Sequence, residues 1–191
     1  MTRPARFKDH EGDRVVMMDR DGVINYERRD YVRRVDQFRL IHGAQRAIRV
    51  LTQHGYQVHV VSNQSAVGRG LMTQDDLNEI TGHMLLRIEK AGGRIESVTY
   101  CTHTPDDNCD CRKPKTGMIE KIVARYGFDP ERAWFVGDSL TDTAAGNAAG
   151  CRTILIARDL PPTKLAANEA AIPDFITTDL HTAVTSIILR I

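Results

Sequence analysis

The chain has 191 residues, 41% hydrophobic and 27% charged, which suits one soluble globular domain with a full core. Its formal net charge of +1 makes no electrostatic case for nucleic acid or for an anionic membrane surface. No apolar run approaches the roughly 18 residues needed to span a bilayer.

The N-terminal Met1–Lys8 is polar and lacks a signal-peptide core, so a cytoplasmic setting is expected. The first apolar run, Val15-Val16-Met17-Met18, reads as a buried strand and ends on Asp19-Arg20-Asp21-Gly22. Asp and Gly are ordinary turn residues, so this stretch alone leaves a plain strand-ending turn open. Two carboxylates so close together repel unless a cation or a shared proton relieves them. Helices are then expected at Ala44–His54, Gln74–Ala91, Gly117–Tyr126, Asp142–Ala149 and Leu180–Leu189. Strands are expected at Val58–Ser62, Val98–Cys101, Ala133–Asp138, Thr153–Ala157 and Phe175–Ile176. Thr73 and Asp76 form a capping pair for the second helix, and Gly55, Gly92 and Gly127 stand where C-cap glycines stand. Strands alternating with helices predict an α/β fold, a doubly wound parallel sheet with helices on both faces. No repeat, low-complexity tract or linker divides it, so residues 1–191 are expected to form a single domain.

Polar, ligand-like residues close these strands. Asp19 and Asp21 end the first, Ser62-Asn63-Gln64-Ser65 the second, and Gly137-Asp138-Ser139-Leu140-Thr141-Asp142 the fourth; Arg112-Lys113-Pro114 follows the third. A parallel sheet gathers its strand ends along one edge, where such folds bind ligands. Asp19, Asp21 and Asp138 offer the oxygen ligands that Mg²⁺ takes. Ser62, with Asn63, Gln64 and Ser65 beside it, can donate hydrogen bonds to phosphate oxygens, and Lys113 can neutralise charge on a phosphoryl group in transfer. Asp138-Ser139 with Asp142 also reads as a helix N-cap pair.

This ordered set resembles the haloacid dehalogenase superfamily of phosphotransferases over roughly residues 13–157. The carriers are D-x-D-G at Asp19–Gly22, Ser62, Lys113 and G-D-x-x-x-D at Gly137–Asp142. The resemblance implies that Asp19 is the nucleophile and that Asp21 protonates the leaving oxygen and then activates water. It further implies that Asp19, Asp138 and the backbone carbonyl of Asp21 hold Mg²⁺, with Asp142 in an outer shell. The rival signatures fail. No G-x-x-x-x-G-K-[ST] accompanies the first strand, and no Ser–His relay stands at a nucleophile elbow.

Cys101-Thr102-His103 and Cys109-Asp110-Cys111 give C-x-H and C-x-C separated by five residues, suited to a closed Cys₃His Zn²⁺ site over residues 101–111. Three of the chain's four cysteines fall in these eleven residues, which in a reducing compartment favours metal over disulfides; separate buried thiols are the alternative. Cys151 reads as a packed core thiol, and His59 as a packed strand residue. With this loop, the chain resembles the heptose bisphosphate phosphatase branch, whose near relatives are the histidinol-phosphate phosphatases. The carriers are D-R-D-G-x-I-N at Asp19–Asn25, S-N-Q-S at Ser62–Ser65, G-R-G at Gly68–Gly70 and C-D-C-R-K-P at Cys109–Pro114. This second resemblance implies a small phosphorylated sugar substrate; a monomer is expected. Ser139 departs from the Lys that heptose enzymes often carry there.

About 40 residues separate Asp21 from Ser62 and about 50 separate Ser62 from Lys113, intervals that the predicted helices and strands consume, so no cap domain fits. Specificity must then come from loops. Arg112 and Arg69, with Arg28 and Arg29 as further candidates, can clamp a second phosphate through forked guanidinium contacts. Arg28, Arg29, Arg33 and Arg34 read equally as solvated surface charge. A zinc-stabilised binding module is the reading from outside enzymology.

Overall fold

The apolar runs become six parallel strands of one sheet in the computed structural model, which describes residues 14–158 and 169–191. The polar Met1–Lys8 segment lies outside the described residues. The strands are β1 Val15–Met18, β2 Gln57–Asn63, β3 Ser97–Cys101, β4 Trp134–Gly137, β5 Arg152–Ile156 and β6 Phe175–Thr177. The helices are α1 Ala44–Gln53, α2 Ser65–Gly68, α3 Gln74–Lys90, α4 Gly117–Tyr126, α5 Leu140–Ala148 and α6 Leu180–Thr182.

Central β1 is buried along its whole length, as a strand covered on both faces must be. Its residues alternate between two apolar layers. Val16 and Met18 pack with Ile48, Leu51, Ile80 and Met84 from α1 and α3, while Val15 and Met17 pack with Ile119 and Ile122 from α4 and Ala145 from α5. Burying side chains of this size is worth roughly 1.5–3 kcal/mol each. The fold is therefore anchored at the strand whose end carries Asp19.

Strand order is β3-β2-β1-β4-β5-β6. The chain winds outward from β1 to β3, returns, and lays β4 against β1 on the other side. That reversal opens a crevice beyond the carboxyl ends of β1 and β4, where doubly wound sheets bind ligands. Asp19 and Asp138 stand at its two walls.

The helix signals behave as local chemistry dictates. Thr73 Oγ1 accepts from Asp76 N (3.1 Å) and Asp76 Oδ2 accepts from Thr73 N (2.7 Å), a complete capping box on α3. Helix α5 starts at Leu140, two residues before the expected Asp142, because Ser139 is its cap. The expected Leu180–Leu189 helix is α-helical only over Leu180–Thr182 and continues with wider, π-type turns over Ala183–Ile188. Among the described residues, the β1–β2 and β2–β3 crossovers carry helices and short turns but no inserted cap.

Candidate active site

The site starts at the end of β1. Asp19 N donates to Val136 O (2.9 Å), which fastens the motif to β4. The chain then turns sharply through Gly22, at φ +77, and a Cβ there would overlap the Asp138 carboxylate. Glycine is required on both counts, for the backbone angle and for the close approach of the two loops. Gly137 likewise leaves room for the Asp142 side chain.

Asp19, Asp138 and Asp142 each direct a carboxylate oxygen to one locus, all within 4.8 Å of one another. Lys113 Nζ contacts Asp19 Oδ1 at 2.9 Å and Asp142 Oδ1 at 2.6 Å, and donates to Val61 O at 2.7 Å. Burial alone would lower the Lys113 ammonium, but Asp142 and Asp19 outweigh it and hold it above its ordinary value. Burial pushes Asp138 up to about 8, helped by the charges of Asp19, Asp142 and Glu27. Burial also raises Asp19 to about 6, with Asp142 and Asp21 adding to the rise, while Lys113 and a hydrogen bond from Ser62 oppose it. One ammonium therefore does not balance these carboxylates. The oxygen donor set and its surplus negative charge fit a hard dication such as Mg²⁺.

Asp142 is heavily committed. Its Oδ2 accepts from Ser139 N (3.1 Å) and Ser139 Oγ (2.6 Å), while Oδ1 faces Lys113. The N-cap expectation therefore holds, with Ser139 as the cap and Asp142 as its partner, and the same Asp142 carboxylate also faces the lysine.

Asp21 is gripped by three buried side chains. Arg20 Nη2 donates to Oδ1 (3.0 Å) and Oδ2 (2.7 Å), Asn25 Nδ2 to Oδ1 (2.7 Å), and Gln64 Nε2 to Oδ2 (2.7 Å). Gln64 Nε2 also donates to Ser62 Oγ (3.0 Å), which leaves the Ser62 hydroxyl proton to be donated to Asp19. The amide of Gln64 is thus spent on Asp21 and Ser62, although the sequence put it with the substrate-binding residues. Asn63 is used similarly: it accepts from Lys113 N (3.1 Å) and donates to Lys113 O (3.2 Å), fixing the lysine's backbone.

The cleft, of about 360 Å³, is lined by the four strand-end motifs together with Arg28, Arg29 and Arg112. Ser65 lines it at the start of α2. Arg69, the C-cap of α2, is exposed and does not line it. Arg28 and Arg33 pair with Asp30, and Arg34 with Asp36, in exposed ion pairs. Arg112 Nη1 donates to His103 O (3.2 Å), which ties it to the cysteine loop.

Sequence reasoning missed two supports. Arg20 stood inside the motif without a role, although a charged residue next to a buried strand is a signal in itself. Arg158, whose Nη1 donates to Gly22 O (2.8 Å), lies 136 residues away and carried no signal.

The cysteine loop closes on itself. Cys111 Sγ lies 3.2 Å from Cys101 Sγ and 3.4 Å from Cys109 Sγ, and His103 Nδ1 lies 3.3 Å from Cys111 Sγ. Burial pushes the Cys101 thiol up to about 12. At Cys109 burial acts in the same direction, but hydrogen bonds from Cys111 and the Arg112 backbone overcome it and bring that thiol down to about 6. Three sulfurs and one imidazole nitrogen within mutual contact fit a tetrahedral Zn²⁺. Cys151 is buried apart from them, pushed up to about 12 by that burial.

The HAD-hydrolase-like family matches residues 110–183. The D-glycero-β-D-manno-heptose-1,7-bisphosphate 7-phosphatase of Neisseria meningitidis serogroup A is 43% identical over 143 residues, covering 75% of this chain and 76% of that protein. The D-glycero-D-manno-heptose-1,7-bisphosphate 7-phosphatase of Chlorobaculum tepidum is 30% identical over 191 residues, covering 94% of this chain and 96% of its own. The crystal structure of D,D-heptose 1,7-bisphosphate phosphatase from B. bronchiseptica, complexed with magnesium and phosphate, superposes with a TM-score of 0.87 at 32% identity, over 93% of this chain and 99% of that one. Fold, sequence and site agree: the chain belongs to the HAD-like hydrolase family that includes the heptose bisphosphate phosphatases.

Proposed function

We propose that this chain is a Mg²⁺-dependent phosphatase that removes the C7 phosphate of D-glycero-D-manno-heptose 1,7-bisphosphate through an aspartyl-phosphate on Asp19. One observation carries the chemistry: Asp19, at the strand switch point, has the buried Lys113 ammonium at 2.9 Å, while Asp21 lines the same cleft.

In the first step a carboxylate oxygen of Asp19 attacks phosphorus. The new O–P bond forms as the bond to the sugar oxygen breaks, and Asp21 gives its proton to that departing oxygen. In the second step water attacks the phosphoryl group, Asp21 takes the water proton, and Asp19 returns to a carboxylate as inorganic phosphate leaves. Lys113 keeps positive charge against Asp19 and the phosphoryl oxygens throughout. Ser62 and Ser65 donate hydrogen bonds to phosphate oxygens. Asp19, Asp138 and the backbone carbonyl of Asp21 would hold Mg²⁺ with Asp142 behind them, and the bound ion supplies positive charge that offsets the carboxylates and the phosphate. Cys101, His103, Cys109 and Cys111 would hold Zn²⁺ as a closed structural set that fixes the loop ending on Arg112 and Lys113. Arg112 then has guanidinium donors left for the second phosphate, the one that is not cleaved.

The heptose reading rests on the relatives, whose names give heptose bisphosphate and not histidinol phosphate. The test is kcat/KM for heptose 1,7-bisphosphate, each anomer separately, against histidinol phosphate. The heptose substrate is expected to win by at least about tenfold, a 1.4 kcal/mol difference in transition-state binding; the reverse order overturns the assignment. A folded, zinc-loaded protein that releases no phosphate from 4-nitrophenyl phosphate with Mg²⁺ would favour a binding module. The same reading takes the enzyme as a cytoplasmic monomer, with sedimentation as the check on the second part.

A further inference from the structure

Arg20 is the residue that this mechanism does not use. It is completely buried, although it lies in the chain between two aspartates that line a polar cleft. A guanidinium taken out of water is expensive unless a partner compensates it. Here the single ionic partner is Asp21, reached through Nη2 alone, and Nε and Nη1 are buried without a hydrogen-bond partner among the described residues. The guanidinium carbon lies 5.7 Å from the centre of the Tyr100 ring, and Tyr100 Oη meets Thr81 Oγ1 at 3.0 Å. Tyr100 is on β3 and Thr81 on α3, so Arg20 rests on a platform supplied by two further elements. Its own carbonyl accepts from Ile24 N (2.8 Å) and Asn25 N (3.1 Å), which shapes the turn that delivers Asn25 to the same carboxylate.

We propose that Arg20, braced on Tyr100 and Thr81, is a positioning residue that sets the orientation of the Asp21 carboxylate for both of its proton transfers. The Asp21 side chain keeps 21% of its exposure, and a carboxylate at a cleft edge has several rotamers open to it. The contact of one guanidinium nitrogen with both oxygens, with Asn25 and Gln64 on either side, leaves one. A rigid frame matters because proton transfer demands hydrogen-bond reach, and misplacement of about 1 Å costs on the order of 10²-fold.

This inference rests on the acid/base role given to Asp21 above, and the experiment separates the two. Arg20→Met is compared with wild type on heptose 1,7-bisphosphate, whose departing alkoxide needs a proton, and on 4-nitrophenyl phosphate, whose phenolate leaves without one. The expected result is a fall of about 10²-fold in kcat on the sugar phosphate with KM within about threefold. On the aryl phosphate, a burst of nitrophenolate matching the enzyme concentration should precede a slow steady state, because water activation then limits. Arg20→Lys should recover part of kcat. Equal losses on both substrates without a burst, a change confined to KM, or wild-type kcat would each overturn the proposal. If Arg20→Met does not fold by circular dichroism, Tyr100→Leu takes its place and must show the same selectivity at smaller size. A wild-type enzyme that ignores the heptose but hydrolyses another alkyl phosphate refutes the substrate assignment alone, and the alkyl–aryl comparison then runs on that compound.

Discussion

The acidic cluster between β1 and β4 and the thiol cluster beyond β3 are two sets of residues that could hold a metal ion, built in opposite ways. The first sits on the most deeply packed strands, and its charge is only partly offset, by one buried lysine. The second sits on a polar loop with little apolar anchorage of its own, and its four donors already touch one another. An open, charge-unbalanced set on a rigid frame suits chemistry. A closed, soft set on a weak frame suits structure, since there a bound ion would supply folding energy that the loop lacks.

The largest effect expected from breaking this contrast is at the proposed nucleophile. Asp19→Asn should lower turnover by about 10⁴-fold or more in a phosphate-release assay while the melting temperature stays near wild type or rises, because a repelling carboxylate is gone. Lys113→Met should fail in both respects. We expect a loss of about 10²–10³-fold in kcat and a destabilisation of about 3–5 kcal/mol by urea unfolding, since Asp142 is left buried beside Asp19 without its cation. Metal removal should then split the two clusters. Chelating the thiol site is expected to lower the melting temperature and release one zinc per chain in a chromophoric assay. Withdrawing Mg²⁺ should abolish activity, with a far smaller thermal shift, and adding it back should restore turnover.

A smaller effect belongs to the frame itself. Burial brings His59 down to about 4, against the opposing charge of Glu96, from an ordinary 6.5; its Nδ1 meets Ser97 Oγ at 2.8 Å and its ring stacks on Phe128. Between those values the unfolded chain binds the extra proton, so stability rises with pH there. The contribution is complete above pH 6.5 and disappears as pH falls toward 4, amounting to about 3 kcal/mol at most. His59→Phe should flatten that part of the stability–pH curve in urea titrations. The smallest effect expected is at Arg69, where Arg69→Ala should leave KM within about twofold. Arg112→Ala should raise KM for the bisphosphate by about tenfold, the loss of one charge-assisted contact. Equal effects at the two arginines would refute the cleft boundary drawn by the geometry.

Much of the site was legible because three of its four motifs end apolar runs, and a parallel sheet leaves such ends no choice but to meet; Lys113 follows β3 only after the cysteine loop. The same logic places Cys101 beside Asn63 in the β2–β3 register, next to the loop that carries Lys113. Asn63 and Gln64 show where that legibility stops. Their position next to Ser62 suggested substrate contact, and both line the cleft, but their amide nitrogens are taken up elsewhere, Asn63 on the Lys113 backbone and Gln64 on Asp21. Which partner a short amide finds depends on what the fold brings within 3 Å, and no spacing rule encodes that.

By itself the sequence determined the strand–helix alternation, the parallel sheet, the residue types at each strand end and the ligand spacing of the cysteine loop. These follow from periodicity, capping and side-chain chemistry, all of which are local. Only the tertiary structure decided that Arg20 is buried against Tyr100 and Asp21, that Arg158 reaches Gly22, that Asp142 pairs with Lys113 as well as with its cap residue Ser139, and that Arg69 stays outside the cleft. Those outcomes depend on which distant elements pack together and on how a buried charge finds its one partner.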